Sequence, residues 1–314
     1  MRRQMWLKNP ETGEIWNLLP SDPYCVTGGC AFVKPQGLGY EQTVTQEQVE
    51  IDYFISKIQS KNKAISGTLY FNGTEHKRNF QQFLGDFRRQ FLLYYSPDGD
   101  FEPYDQINSP FYKPVTVSSV DSTEKTTDGW YECDTTFVTQ SDVWKRDIYL
   151  QIKGERMFAG EPLVYPYTYT YVFGGRDVYT IDIPNDGRET GCIVKIKNNS
   201  DKPLSQVEWF IDHTYKDVYN IEHTETQRSK WFTQNTDVTL QKDYELYVDS
   251  NATTQEAKVT MSDGTSQSVV KWQEPSWDYI NFVRIKHGAN RIVFYINSNN
   301  VDISVIYQEQ KELI

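Results

Sequence analysis

The chain has 314 residues, with 43 Asp and Glu against 32 Lys and Arg and a formal net charge of −11. That length exceeds one ordinary core and suits two domains of roughly 150 residues each. The acid excess runs through both halves and no cluster of Lys and Arg stands out, so sequence-specific DNA or RNA binding does not fit.

No run approaches the roughly 20 apolar residues that cross a bilayer, so no membrane span is expected. Residues 1–10 start basic but have no apolar core of signal-peptide length, and synthesis in the cytosol is the expectation. The 4 Cys are too few for a disulfide scaffold. The 22 Tyr, 16 Phe and 8 Trp make 15% of the chain aromatic, which with many Val and Thr favours strands.

In chain order, residues 65–71 read as a strand leading into a single helix. Thr74 is placed to cap it, with Glu75 in the first turn, and Phe80, Phe83, Leu84, Phe87 and Phe91 follow helical spacing. Arg88 and Arg89 sit near its end, where the dipole favours cations. Gly85 inside the helix costs about 1 kcal/mol relative to Ala. Five buried side chains at roughly 1.5–3 kcal/mol each outweigh that cost if the helix docks on a sheet.

Residues 91–95 read as the next strand, 96–100 as a Pro/Gly turn, and 115–120 and 130–138 as two strands joined by a polar loop at 122–129. Residues 154–175 hold Gly154, Gly160, Pro162, Pro166 and a run of alternating tyrosines, the composition of a connector. Beyond it the pattern is strand and turn: 178–183, 192–197, 207–211, 244–248, 257–261, 279–285, 291–297 and 301–307. Short strands at this spacing predict a β-sandwich. The expected domains are 1–153, a connector at 154–175, and 176–314.

No catalytic motif is present: no Gly-x-Ser-x-Gly elbow, phosphate loop, His-Glu-x-x-His or dinucleotide fingerprint. Asp212-His213 and Glu222-His223 suggest a metal site, but neighbours on a strand point to opposite faces, and a polar loop is the better reading. Cys25 and Cys30, with Gly28-Gly29 between them, read as buried thiols, with a small disulfide loop or the start of a zinc site as alternatives. Glu189 and Glu274 are the acids nearest to a glycosidase pattern, and surface loop positions explain them better. Trp231, Trp272, Trp277 and Tyr279 form a candidate glycan-stacking platform, against the alternative that they are core.

Taken in order, these features resemble the distal tail proteins of siphophages. The resemblance rests on Trp6 and Trp16, on Gly37-Leu38-Gly39-Tyr40, on the strand–helix–strand unit at 65–95, on the hairpin reaching Trp144, and on the Tyr-rich connector. It continues with Asn185-Asp186-Gly187, then Trp277-Asp278-Tyr279-Ile280 ahead of Gly288-Ala289-Asn290. It departs at Arg188-Glu189-Thr190, where a proline-containing segment is expected, and at the Cys25–Cys30 loop.

The resemblance implies a mainly β fold: an N-terminal belt domain, a sheet or sandwich with one helix, then a C-terminal galectin-like β-sandwich. It implies a structural hub rather than an enzyme, without cofactor or metal, made in the bacterial host cytoplasm and carried at the virion tail tip. The implied partners are further copies in a homohexameric ring, the tail tube protein, the tail-associated tail-tip protein, and a receptor-binding protein or its adaptor. Tyr94, Tyr95, Tyr104, Phe111 and Tyr112 are the expected ring contacts, with packing inside their own domain as the alternative. The alternative function is a carbohydrate-binding module for host cell-wall polysaccharide.

Overall fold

Strands built from alternating apolar and polar residues bury one face and wet the other, and each half of this chain closes its own core in that way. A computed structural model describes residues 4–19, 30–39, 42–49, 52–60, 63–85, 89–96, 110–121, 130–153, 177–232, 239–296, 298 and 300–312. The chain divides into two compact units, one of residues 1–146 with 310–314 and one of residues 147–309. The connector expected at 154–175 lies outside the described residues.

The first unit comprises strands β1 (Gln4–Lys8), β2 (Ile15–Leu19), β3 (Cys30–Gln36), β4 (Gln42–Val49), β5 (Asp52–Ser60) and β6 (Ile65–Asn72), helix α1 (Thr74–Leu84), then β7 (Gln90–Ser96), β8 (Phe111–Val120), β9 (Trp130–Thr139) and the start of β10 (Trp144–Lys153). Seven strands pair antiparallel in the order β2-β1-β7-β8-β9-β6-β3. A bulge between Val117 and Ser119 shifts the β8–β9 register. β4 and β5 form a separate ribbon that pairs with no third strand among the described residues.

Helix α1 exists because one face docks on this sheet. Phe80, Phe83 and Leu84 are buried, and the Phe80 ring lies 5.3 Å from Trp16 and 5.4 Å from Phe71. Burial of each is worth about 1.5–3 kcal/mol. The helix is shorter than its sequence spacing predicts. Gly85 is not an interior residue: at φ 55° it closes the helix, its N–H donating to the Gln81 carbonyl at 3.0 Å. Phe91 therefore belongs to β7 and reaches the same core from the sheet, 5.5 Å from Phe83. Phe87 and Arg88 lie outside the described residues, and Arg89 falls beyond the helix. Thr74 is not the cap either: Gly73 holds that position, and the Thr74 hydroxyl pairs with the Tyr131 hydroxyl at 3.0 Å.

Gly37 has φ 83°, and a Cβ there would run into the Ala64 carbonyl oxygen, so no other residue fits. The turn it makes leaves the Leu38 carbonyl to accept from Trp144 Nε1 at 3.3 Å.

The second unit continues β10 from Asp147 and adds β11 (Asp177–Asn185), β12 (Thr190–Asn198), β13 (Val207–Lys216), β14 (Glu222–Trp231), β15 (Glu245–Asp249), β16 (Glu256–Thr260), β17 (Ser266–Ser268), a 3-10 turn at Val270–Trp272, β18 (Arg284–Ile285), β19 (Gly288–Ile296) and β20 (Val301–Lys311). One sheet runs β17-β16-β15-β12-β20-β10 and the other β11-β19-β13-β14, with β18 beside β12. Val194, Ile196, Leu246, Ile303 and Val305 from the first meet Val207, Trp209, Ile211, Ile292 and Phe294 from the second in one buried cluster. This is a β-sandwich.

Residues 279–285 were expected as a strand, and only Arg284–Ile285 is one. Asn281 breaks the rest. At φ 60° it leaves extended geometry, its N–H donates to the Arg228 carbonyl, and its side chain bridges the Lys230 N–H and the Glu274 carbonyl. The loop thus satisfies part of the β14 edge without a ladder.

Candidate functional site

Because Val207, Trp209 and Ile211 point into the core, Glu208, Phe210 and Asp212 between them must point out. The registers of β11, β19, β13 and β14 arrange the outer face in rows. Asp182, Arg291, Asp212 and Thr226 lie across one row, and Thr180, Val293, Phe210 and Arg228 across the next. The third row holds Tyr295, Glu208 and Lys230. A cavity of about 390 Å³ opens over this face, lined by Glu208, Phe210, Asp212, Thr226, Arg228 and Tyr295.

The groove is held by its own bonds. The Phe210 and Tyr295 rings lie 5.4 Å apart, tilted by 33°. Thr226 donates to Asp212 at 2.6 Å, Arg291 to Asp182 at 2.7 Å, and Gln206 to Glu208 at 3.3 Å. Tyr279 donates to the other Glu208 oxygen at 3.1 Å, and burial, then the charge of Glu208, raises its phenol above the ordinary range. Trp277, two residues earlier on the same loop, is 91% exposed.

The expected platform of Trp231, Trp272, Trp277 and Tyr279 is therefore not one surface. Trp231 is fully buried, stacked 6.4 Å from Trp209, with its Nε1 donating to Ser229. Trp272 is buried beside Phe232. Trp231 ends β14 facing inward and Trp272 closes the 3-10 turn in the same core, so neither offers a face to a sugar. Of the four, Trp277 and Tyr279 reach solvent, and the outward aromatic pair on this face is Phe210 and Tyr295, which the sequence reading does not name. The signal for them was present: an aromatic in the outward phase of an alternating strand.

The far end of the β13–β14 hairpin is a second exposed feature. Asp217 accepts from the Tyr219 and Ile221 N–H groups at 2.9 Å each and pairs with His223 Nε2 at 2.9 Å. That clamp holds Val218 and Tyr219 outward, 93% and 80% exposed. His213 and His223 flank Tyr215 in a stack with 5.4 Å spacings. His213 is buried, its Nε2 2.7 Å from the His287 carbonyl. No group of three potential metal ligands converges among the described residues. Glu189 pairs with Arg284 at 3.0 Å, and Glu274 accepts from the Ser276 N–H.

In the first unit, the tyrosines and the phenylalanine proposed for one surface divide between two. Tyr94 and Tyr112 are cross-strand partners with rings 5.3 Å apart on one face. Tyr95 and Phe111 are partners on the opposite face, Tyr95 packing on Trp144 at 5.8 Å and Phe111 under the Arg146 guanidinium at 4.7 Å. Tyr104 and Cys25 lie outside the described residues. Cys30, Cys133 and Cys192 are buried thiols, and burial pushes Cys30 and Cys192 up to about 12.

Residues 4–140, the β1–β9 sheet with its helix, match the family described as the distal tail protein, N-terminal domain. That region is a distal tail protein N-terminal domain. Its fold is similar over the whole length to that of a chain from the phage P2 baseplate in its activated conformation with calcium, at 15% identity and a TM-score of 0.52, covering 100% of both chains. The strontium form of that baseplate gives 14% identity and a TM-score of 0.51 over 99% of each chain. The SPP1 Dit protein, described as a paradigm of the hub adsorption apparatus in Gram-positive infecting phages, gives 8% identity and a TM-score of 0.55 over 99% of each. A search of curated proteins by sequence gives no match.

The distal tail domain thus accounts for the first unit, and the mainly β fold extends through the second. No described helix is long and apolar enough to cross a membrane.

Proposed function

We propose that this chain is a phage distal tail protein that assembles through its first unit into a hexameric ring at the end of the tail, joining the tail tube protein to the tail-tip protein. The observation that carries this reading is the β4–β5 ribbon. A lone two-stranded hairpin is marginally stable in water. This one spans Gln42–Val49 and Asp52–Ser60, pairs with no third strand among the described residues, and exposes Val44 (45%) and Ile55 (58%). A neighbouring copy would cover those side chains and supply the missing support.

Six copies related by rotation need a head-to-tail contact that closes, burying at least about 1,000 Å² at each junction. The aromatic content suits such a surface, and Tyr94 and Tyr112 on one face with Tyr95 and Phe111 on the other are candidates for its rim. A net charge of −11 per copy keeps the wall of a DNA-conducting ring from holding phosphate. We read the second unit as a galectin-like sandwich that carries a receptor-binding protein or its adaptor outward, the clamped Val218–Tyr219 tip being the most prominent apolar contact it offers. The chain acts without catalysis or cofactor, is made in the host cytoplasm, and takes its place at the tail tip.

Light scattering or native mass determination on the purified chain tests the ring. A mass of six chains, or of two stacked rings, supports it. A strictly monomeric chain at tens of micromolar, both alone and mixed with the tail-tip protein, would sink it.

A further inference from the structure

We propose that the groove on the outer face of the β11-β19-β13-β14 sheet binds a neutral oligosaccharide. The juxtaposition that points there is an aromatic pair, Phe210 and Tyr295, set between two carboxylates and a guanidinium on one open sheet face. The volume of about 390 Å³ falls within the range of small-ligand clefts, roughly 300–1,000 Å³.

The lining selects the ligand by chemistry. An anion would meet Glu208 and Asp212, and a metal cation would lack a third converging ligand among the described residues. A purely apolar molecule would strip water from Glu208, Asp212 and Arg228 without replacing it. A sugar meets each demand. The C–H face of a pyranose covers Phe210 and Tyr295. Its hydroxyls donate to the carboxylates and accept from Arg228.

The acceptors have capacity to spare. Each carboxylate oxygen accepts about two hydrogen bonds, and the Thr226 bond to Asp212 and the Tyr279 and Gln206 bonds to Glu208 orient those groups without filling them. Arg291, tied to Asp182 in the flanking row, keeps the face near charge balance. Trp277, two residues from Tyr279 on the same loop, is a further exposed aromatic. All these residues lie in one unit of one chain, so the site does not depend on ring assembly and a monomeric preparation tests it equally.

The test is saturation-transfer NMR and calorimetry on the full chain with lactose, maltotriose and triacetylchitotriose, and with a heparin oligosaccharide as an anionic probe. Titration to about 20 mM reaches well past a ~1 mM dissociation constant. The proposal expects saturable binding of at least one neutral probe that persists in high salt. Phe210→Ala and Arg228→Ala should each weaken it by about tenfold, and Asp212→Asn, which keeps the side-chain shape, several-fold. Arg228 is exposed on an edge strand, so its variant keeps the fold if Phe210→Ala does not. The proposal is overturned if no neutral probe binds, if only the anionic one does, or if binding is unchanged in Arg228→Ala and Asp212→Asn.

Discussion

Two long hairpins of similar size, β4–β5 in the first unit and β13–β14 in the second, are supported in different ways. The second lies against β19 along one edge, and Val207, Trp209, Ile211 and Trp231 on its inner face fill the sandwich core. Only its tip stands free, and Asp217 ties that tip down. The first pairs with itself alone among the described residues and leaves Val44 and Ile55 to solvent. A hairpin packed on a core tolerates an exposed tip, whereas a ribbon paired only with itself is marginal in water. On the proposed reading, the difference separates the part of this protein that stands alone from the part that assembles.

The largest expected effect tests the self-supporting hairpin. Trp209→Ala removes a fully buried ring between Trp231 and Phe294 and should cost about 3–5 kcal/mol in urea denaturation. A loss under about 1 kcal/mol would show that the hairpin does not depend on that core. The Val44→Asp, Ile55→Asp double variant tests the other hairpin. Solvent-facing substitutions away from packed sites change stability by about ±0.5 kcal/mol or less, so the melting temperature of the dissociated chain should hold while the oligomer mass falls.

A smaller, local effect concerns the clamped tip. The hydrogen bond with His223, then the Ile221 and Tyr219 N–H groups, holds the Asp217 carboxyl below its ordinary range. A carboxylate depressed in the folded state stabilises it above the unfolded pKa, and that contribution disappears as pH falls through the folded value. The tip should therefore be tight at neutral pH and loosen only in acid below the usual Asp range, seen as faster amide exchange at Tyr219 and Ile221. Asp217→Ala should show the loosened pattern at pH 7, with the sandwich core unchanged. The smallest effect is chemical. Cys30 and Cys192, pushed up to about 12 by burial, should resist alkylation at pH 8 until the chain is unfolded. Rapid labelling of the native protein would mean that one of the two cores opens.

Much of this architecture was legible from alternation. Val207, Trp209 and Ile211, and Val194 with Ile196, show their inward phase in the sequence, and the strands follow. The sequence hides β14 because Glu222–Trp231 is an edge strand whose residues are nearly all polar, its edge partly met by hydrogen bonds from the loop at 273–284, so no apolar period appears. The stretch 279–285 misled in the other direction: Tyr279, Ile280 and Phe282 look like a strand, but Asn281 turns the chain away. Helix α1 was overextended for a related reason. Phe91 falls at helical spacing from Phe80, yet it reaches the shared core from β7, and spacing alone does not say which element carries a side chain inward.

By itself the sequence determined the class of this protein: acidic, aromatic, mainly β with one docked helix, and ordered like a distal tail protein. Composition and periodicity are sums over many residues, so single errors cancel. The tertiary structure decided which aromatics do what. It buried Trp231 and Trp272, turned Phe210 and Tyr295 outward together, and left β4–β5 paired with no third strand among the described residues. Those outcomes depend on strand register and on what packs opposite, and a shift of one residue reverses every side chain.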